Sequence, residues 1–143
     1  MDKNYSIIGI LVIMGLIVAI SGCTSSGTNT QIQQFNGKQM SFQYLQGWNI
    51  QEYNSGYSVT LLKGSEQIGV TKKYTKHGYQ TYLNDAASTY TSLGKFTEGN
   101  ITYNKYDAGS DYAYALTKNG KYFTVYGPKI AESNMLEIIK TIN

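Results

Sequence analysis

The segment YAYALTKNGKYFTVYG, residues 112–127, decides the fold of this chain. Two runs of strand-forming residues flank Asn119-Gly120, a dipeptide that favours a two-residue type I′ hairpin turn. This turn pairs Lys118 with Lys121 and thereby fixes the register behind it. The predicted pairs are Leu116 with Phe123 and Tyr114 with Val125 on one face, and Thr117 with Tyr122, Ala115 with Thr124 and Ala113 with Tyr126 on the other. Both faces are largely apolar, so the hairpin needs cover on both.

The residues around the hairpin predict further strands and two helices. Met40, Phe42 and Tyr44 alternate with polar residues, as in a half-buried strand. Residues 79–93 follow the period of one helix face, with apolar or small residues at Tyr79, Tyr82, Leu83, Ala86, Ala87, Tyr90 and Leu93, and Gly94 at the usual C′ position. A closing helix from about residue 131 carries Ala131, Met135, Ile138, Ile139 and Ile142 on one side. The predicted order, ββββ-α-βββ-α, is an α+β fold in which helices cover an antiparallel sheet.

Four segments carry a family resemblance. They are the opening strand MSFQYLQGW, the helix YQTYLNDAASTYTSLG, the hairpin quoted above and the terminal MLEIIKTI. Together they resemble PsbP-like domains, the α/β/α sandwich shared by an extrinsic photosystem II protein and a nuclear Ran-binding protein. The resemblance covers roughly residues 37–143, although Gln46 stands where the family usually has a Pro. It implies a non-enzymatic binding or assembly role and names no ligand, because the family binds very different partners.

Residues 1–22 have the pattern of a lipoprotein signal peptide. Residues 7–20, IIGILVIMGLIVAI, are all apolar or Gly, a length that suits a signal peptide better than a membrane span. Ile20, Ser21 and Gly22 then resemble a lipobox before Cys23, the one cysteine of the chain. The alternative is an uncleaved signal anchor with a free thiol at Cys23. Cleavage and lipidation place the domain on the outer face of the cytoplasmic membrane, anchored through lipid.

A flexible tether is predicted to follow the lipidated cysteine. Residues 24–36, TSSGTNTQIQQFN, carry no charge and few apolar groups, so they bury too little surface to fold. The domains are therefore a signal peptide at 1–22, the lipidated Cys and tether at 23–36, and the PsbP-like domain at 37–143. This composition looks similar to that of short lipoproteins from methanogenic archaea.

Composition excludes several function classes. The twelve cations are all Lys and the net charge is only +3, which argues against a nucleic-acid partner. One His and one Cys cannot build an all-protein zinc site, so we expect no metal and no cofactor. His77 is predicted to be an exposed loop residue, and Asp107 and Asp111 are predicted to flank a plain turn rather than a calcium loop.

The fourteen tyrosines are the compositional outlier. A tyrosine offers apolar area with a hydroxyl group, which suits contact with a protein or a glycan partner. The predicted binding surface is a groove between helix and sheet lined by Tyr74, Tyr79, Tyr82, Tyr103, Tyr106 and Tyr112. The alternative is that tyrosine simply suits half-buried strands.

A second candidate surface is basic. Lys72, Lys73 and Lys76 are predicted to contact anionic lipid head groups, where each Lys is worth about 1 kcal/mol. The alternative is an ordinary solvated strand end. The sequence thus favours a non-enzymatic, lipid-anchored binding or assembly module over a structural envelope lipoprotein, and both over a hydrolase with an unrecognised site.

Overall fold

A computed structural model describes residues 31–143. Its strands are β1 (Ile32–Asn36), β2 (Ser41–Leu45), β3 (Asn49–Tyr53), β4 (Ser58–Lys63), β5 (Glu66–Lys73), β6 (Thr91–Glu98), β7 (Ile101–Ala108), β8 (Asp111–Lys118) and β9 (Lys121–Pro128). The helices are α1 (Lys76–Thr89) and α2 (Glu132–Thr141), and two short 3-10 turns are η1 (Asn54–Gly56) and η2 (Lys129–Ala131). No helix within residues 31–143 is long and apolar enough to cross a membrane.

Seven strands form one antiparallel sheet in the order β3-β4-β5-β9-β8-β7-β6. Strands β1 and β2 form a separate antiparallel hairpin. The two helices pack on this framework, so the predicted α+β class, an antiparallel sheet covered by helices, is confirmed.

The central β8–β9 hairpin has the predicted register in every pair, from Lys118 opposite Lys121 to Ala113 opposite Tyr126. The cause is the turn itself. Asn119 has φ 50° and Gly120 has φ 72°, and a type I′ turn requires positive φ at both central residues.

Each face of the hairpin is covered by a different layer. The face of Tyr114 and Phe123 packs against α2 and β2 in the main core. The opposite face packs against α1, where Ala113 lies in a second cluster with Ala86 and Tyr106. The predicted apolar side of the closing helix is confirmed, because Met135, Ile138, Ile139 and Ile142 are all fully buried.

The prediction of a flexible tether through residue 36 is wrong for residues 32–36. These residues form β1, which pairs with β2 from Ile32 opposite Leu45 to Asn36 opposite Ser41. The pairing is reinforced where the rings of Phe35 and Phe42 lie 5.0 Å apart. Backbone hydrogen bonds between β1 and β2 and the packed ring of Phe35 therefore order this segment, although its composition predicts a flexible tether.

The predicted helix over residues 79–93 is also wrong at both ends. Helix α1 begins at Lys76, where the N-cap Thr75 accepts a hydrogen bond from the Gly78 amide, and it ends at Thr89. Leu93 and Gly94 belong to β6, a strand that the sequence pattern did not reveal. Gly94, with φ 106°, lies at a bulge in the β6–β7 pairing rather than at a helix C′ position.

The sandwich has two ends, which we name by the position of the first described residue. At the proximal end the Gln31 carbonyl accepts a hydrogen bond from the Gln46 amide at 2.8 Å. The β4–β5 turn and η2 lie at the same end. The distal end carries η1, the start of α1 and the Asn119-Gly120 turn. The antiparallel eight-residue strands between the two ends are each about 26 Å long.

Candidate functional site

The lipobox of Ile20, Ser21 and Gly22, together with Cys23, lies outside the described residues. The structure does show where the described chain begins, at Gln31, eight residues after Cys23. That position is fixed beside Gln46 by the hydrogen bond to Gln31 and by the pairing of Ile32 with Leu45.

The three lysines of the predicted head-group surface do not form one patch. Lys72 and Lys73 are consecutive in β5, so their side chains point to opposite faces of the sheet. The Lys72 ammonium donates a hydrogen bond to the Gln39 carbonyl at 3.0 Å, whereas the Lys73 ammonium lies 5.0 Å from the centre of the Tyr82 ring on α1. Lys76 is exposed in the first turn of α1. All three lie at the distal end.

The six tyrosines of the predicted groove fall into three separate places. Tyr79, Tyr82 and Tyr106 lie between α1 and the sheet, Tyr103 and Tyr112 lie on the opposite face, and Tyr74 is exposed at the distal end. The prediction of one continuous groove is therefore wrong, because alternate residues of β7 and β8 point to opposite layers of the sandwich.

The tyrosines under α1 form packed core rather than a groove. Tyr79 and Tyr106 are buried, and the ring of Tyr79 lies 5.1 Å from that of Tyr122. Burial raises the pKa of Tyr79, Tyr82 and Tyr106 because the tyrosinate form would lose its solvation. These side chains are not available to a ligand.

The tyrosines on the other face surround a lysine. The Lys105 ammonium lies 3.9 Å from the centre of the Tyr112 ring and 2.5 Å from Oε1 of Glu132. The Tyr114 hydroxyl donates to the same carboxylate oxygen at 3.1 Å, and burial followed by this negative charge raises the pKa of Tyr114. The position that an external cation would take is thus filled by Lys105 itself.

An open aromatic site remains at the distal end, and we call it the Tyr57–Tyr74 cleft. The rings of Tyr57 and Tyr74 stack with centroids 3.8 Å apart. Tyr74 is 70% exposed, so the outer face of its ring is free in the described structure. A cavity of about 360 Å³ adjoins the pair, lined by Asn54, Ser55, Tyr57, Ser58, Thr71, Lys72, Lys73 and Tyr74.

The backbone of η1 is unusual beside this cleft. Asn54 and Ser55 both have positive φ, 51° and 54°, in front of Gly56 at 93°. Two successive side-chain-bearing residues in the left-handed region are energetically costly, and such positions concentrate at functional sites. The turn is held by the Tyr57 amide donating to the Asn54 carbonyl and by the Asn54 side-chain amide donating to Ser58. It presents polar side chains next to the stacked rings.

A second cavity, of about 270 Å³, lies at the proximal end between Trp48, Lys63, Ile130 and Asn134. Trp48 is 8% exposed, and the Lys63 ammonium lies 5.9 Å from the centre of its ring. The Asn134 side-chain oxygen accepts from the Leu45 amide at 2.8 Å, which attaches α2 to β2. The amide nitrogen of the same side chain is buried without a partner among the described residues.

A third cavity, of about 490 Å³, also lies at the proximal end, where Asp111 and Tyr126 line it. The Tyr126 hydroxyl donates to Oδ2 of Asp111 at 2.9 Å, and Ser110 donates to the same oxygen at 3.0 Å. Burial, then the hydrogen bond to Asp111, raises the pKa of Tyr126 to about 12. Over the physiological range Tyr126 therefore stays a neutral hydrogen-bond donor to Asp111.

The segment of Asp107 and Asp111 forms a turn, as predicted. Oδ1 of Asp107 accepts from the Gly109 amide at 2.9 Å, and its other oxygen lies 2.7 Å from the Lys129 ammonium. Within residues 31–143 no group of three or more His, Cys, Asp or Glu is placed to hold a metal ion. His77 is exposed as predicted, but it lies in the first turn of α1 rather than in a loop.

Sequence reasoning missed several residues of these sites. Tyr57 and Tyr74 are 17 positions apart and meet only because β4 and β5 pair from Ser58 opposite Thr71. The Asn-Ser-Gly order of residues 54–56 was the one available signal, since these residue types tolerate positive φ. Nothing in the local sequence brings Asn134 to Leu45.

Comparison with known proteins yields a likeness of fold to solved structures. No protein-family model matches the chain, and no curated protein matches it. Among solved structures the chain is similar to the solution structure of cyanobacterial PsbP (CyanoP) from Synechocystis sp. PCC 6803. The sequences are 17% identical, the match covers 87% of this chain and 98% of that one, and the TM-score is 0.48. At these values the likeness carries no inference about function, and the α+β class rests on the strand order and helices themselves.

Proposed function

We propose that this chain is a non-enzymatic, lipid-anchored extracytoplasmic binding module with a PsbP-like domain, and that it binds an acidic glycan at the Tyr57–Tyr74 cleft. The observation that carries the proposal is the exposed, stacked tyrosine pair with the Lys72 ammonium beside it. The lipid anchor rests on Ile20, Ser21, Gly22 and Cys23.

The chemistry of the lining favours a carbohydrate over a protein segment. A sugar ring presents an apolar face that stacks on a tyrosine, and its hydroxyls hydrogen bond to amide and hydroxyl side chains. Asn54, Ser55, Ser58 and Thr71 provide such groups around the rings. The described lining residues include no aliphatic side chain of the kind that would anchor a leucine or valine of a peptide.

The charge of the lining favours an acidic glycan over a neutral one. Lys72 contributes an ammonium group close to Tyr57, and the described lining contains no aspartate or glutamate. Lys72 lies 5.7 Å from the centre of the Tyr57 ring, so a carboxylate seated near the stack would meet a cation. The same lining has no carboxylate or imidazole to act as general acid or base, which supports binding without catalysis.

Calorimetric titration of the intact lipoprotein in detergent tests this function. The probes are a uronic-acid oligosaccharide and a neutral oligosaccharide of the same length. We expect the uronic-acid probe to bind more tightly, with the difference shrinking as salt is raised. Tyr74→Ser should abolish binding because it removes the exposed stacking ring. Lys72→Gln should weaken binding of the acidic probe alone, because the Lys72 ammonium is the cation beside the Tyr57 ring.

The matched control for Lys72→Gln is Lys95→Gln, which neutralises an exposed lysine of β6 outside the cleft. It changes the net charge equally and should leave the affinity unchanged. Equal affinity for the two probes, or binding that survives Tyr74→Ser, would contradict the assignment of an acidic glycan to this cleft.

A further inference from the structure

The proximal end of the sandwich exposes aliphatic side chains that its own packing does not explain. Ile130 in η2 is 80% exposed, the highest value among the exposed large hydrophobic residues, and Ile32 at the start of β1 is 55% exposed. Ile130 lines the same cavity as Leu45, and Leu45 pairs with Ile32 across the β1–β2 hairpin. The two side chains therefore flank one surface.

The course of the chain places this surface next to the proposed anchor. Gln31 is held at the proximal end by its hydrogen bond to Gln46. Cys23 and Gln31 are eight residues apart, a separation that spans at most about 28 Å when fully extended. With Cys23 lipidated, the proximal end is held close to the bilayer, whereas the Tyr57–Tyr74 cleft lies at the other end of strands about 26 Å long.

The residue types at this end suit the interface between lipid and water. Aliphatic side chains insert among lipid groups, and lysine extends its ammonium to the phosphates from an apolar stem. Trp48 and Lys63 line the same cavity as Ile130, with the Lys63 ammonium 5.9 Å from the centre of the Trp48 ring. The distal lysines cannot serve the same surface, because Lys73 is about 23 Å along β5 from Glu66 of the proximal turn.

From this geometry we propose that the proximal surface of Ile32, Lys63 and Ile130, with the largely buried Trp48 in the adjoining cavity, docks on the head-group layer of the membrane that carries the anchor. The inference rests on the proposed lipidation of Cys23. It adds an orientation to the anchored domain: the proximal end lies against lipid and the glycan-binding cleft faces away from it.

Trp48 allows a direct test, because it is the single tryptophan of the chain. The intact lipoprotein is reconstituted into phosphatidylcholine vesicles whose acyl chains carry bromine either near the glycerol backbone or near the chain end. Bromine quenches tryptophan only at short range. We expect quenching of Trp48 by the shallow bromines and little by the deep ones. Ile130→Ser should reduce the shallow quenching several-fold, while Tyr74→Ser at the distal end should leave it unchanged.

Flotation of the same vesicles tests the lipid anchor separately from the docked orientation. Protein that floats with the vesicles but shows no quenching of Trp48 overturns the docked orientation and leaves the anchor standing. Quenching that is unaffected by Ile130→Ser also overturns the proposed surface. Protein that does not float shows that the anchor is absent, and the docking proposal fails with it.

Discussion

The Lys105 ammonium and the Glu132 carboxylate lie 2.5 Å apart and join the middle of β7 to the first turn of α2. Their side chains are only 16% and 33% exposed, so the pair is largely shielded from water. Tyr114 donates to the same carboxylate, and Tyr112 covers the ammonium. A carboxylate in the first turn also suits the positive end of the helix dipole. The contact therefore attaches the closing helix to the sheet at its N-terminal end.

Glu132→Gln should lower the free energy of unfolding by about 1.5–3 kcal/mol, because it leaves the shielded Lys105 ammonium without its charged acceptor. The control is Glu98→Gln, which removes the partner of Lys140 from a pair that is 43% and 40% exposed. An exposed pair of this kind contributes less than about 1 kcal/mol. Denaturant unfolding of both variants measures the difference, and equal losses would contradict the attachment described here.

Ile139→Asp should unfold the domain, because it places an unpaired carboxylate in the fully buried core under α2. Truncation after Pro128 should act the same way, since it removes four fully buried side chains of the closing segment. Ile130→Asp is the matched control, because Ile130 is 80% exposed and its replacement should change stability by no more than about 0.5 kcal/mol. Thermal melting compares the two core variants with the control Ile130→Asp. Melting temperatures identical to that of the control would place α2 outside the core.

Gly120→Ala should destabilise the protein by about 1–2 kcal/mol, because Gly120 has φ 72° and an alanine in the left-handed region is strained. Gly69→Ala makes the same chemical change in β5, where φ is not positive and the added carbon meets no atom within 4 Å. That variant should be neutral or more stable by about 0.4–1 kcal/mol, through the entropy of the unfolded chain. The denaturant midpoint should fall in Gly120→Ala, whereas it should stay unchanged or rise in Gly69→Ala. A neutral Gly120→Ala would count against the type I′ turn.

The hairpin was predictable because its register depends on the two residues of its own turn. The apolar side of α2 was predictable because helical periodicity is local. Strand β6 was not predictable from the sequence. Its residues 91–97 are all exposed, so they show no alternation of apolar and polar positions that would indicate a strand. Tyr90 and Leu93 continue the helical spacing of α1, but the chain is already extended at Tyr90.

The candidate site was less predictable than the fold. Lys72 and Tyr74 of the cleft were among the residues singled out from the sequence, but their partner Tyr57 follows η1, just before β4. Three of the six tyrosines assigned to a groove, Tyr79, Tyr103 and Tyr106, are buried, because a tyrosine serves the core as readily as a ligand. Which role a given tyrosine takes depends on the layer that covers its face, and that is a property of the whole sheet.

Alkaline pH should destabilise the protein, and the ionisation of Tyr126 should contribute to this loss of stability. Burial and the hydrogen bond to Asp111 raise the pKa of Tyr126 from 10.0 to about 12 in the folded state. Because the folded state favours the neutral phenol, this contribution is complete below pH 10 and is lost as the pH rises from 10 to about 12. Tyrosinate absorbance and melting temperature are followed together. In Tyr126→Phe the loss over this range should be shallower, and an unchanged profile would contradict the assignment.

The most direct test of the account as a whole is the intact mass of the protein extracted from membranes. The lipid-anchored interpretation predicts a chain that begins at Cys23 and carries a diacylglyceryl group on the thiol. Cys23→Ser should lose this added mass and should no longer partition with the membrane fraction. A chain that retains Met1 with an unmodified thiol at Cys23 would contradict the account, since neither the anchor nor the orientation of the domain above the bilayer would then stand.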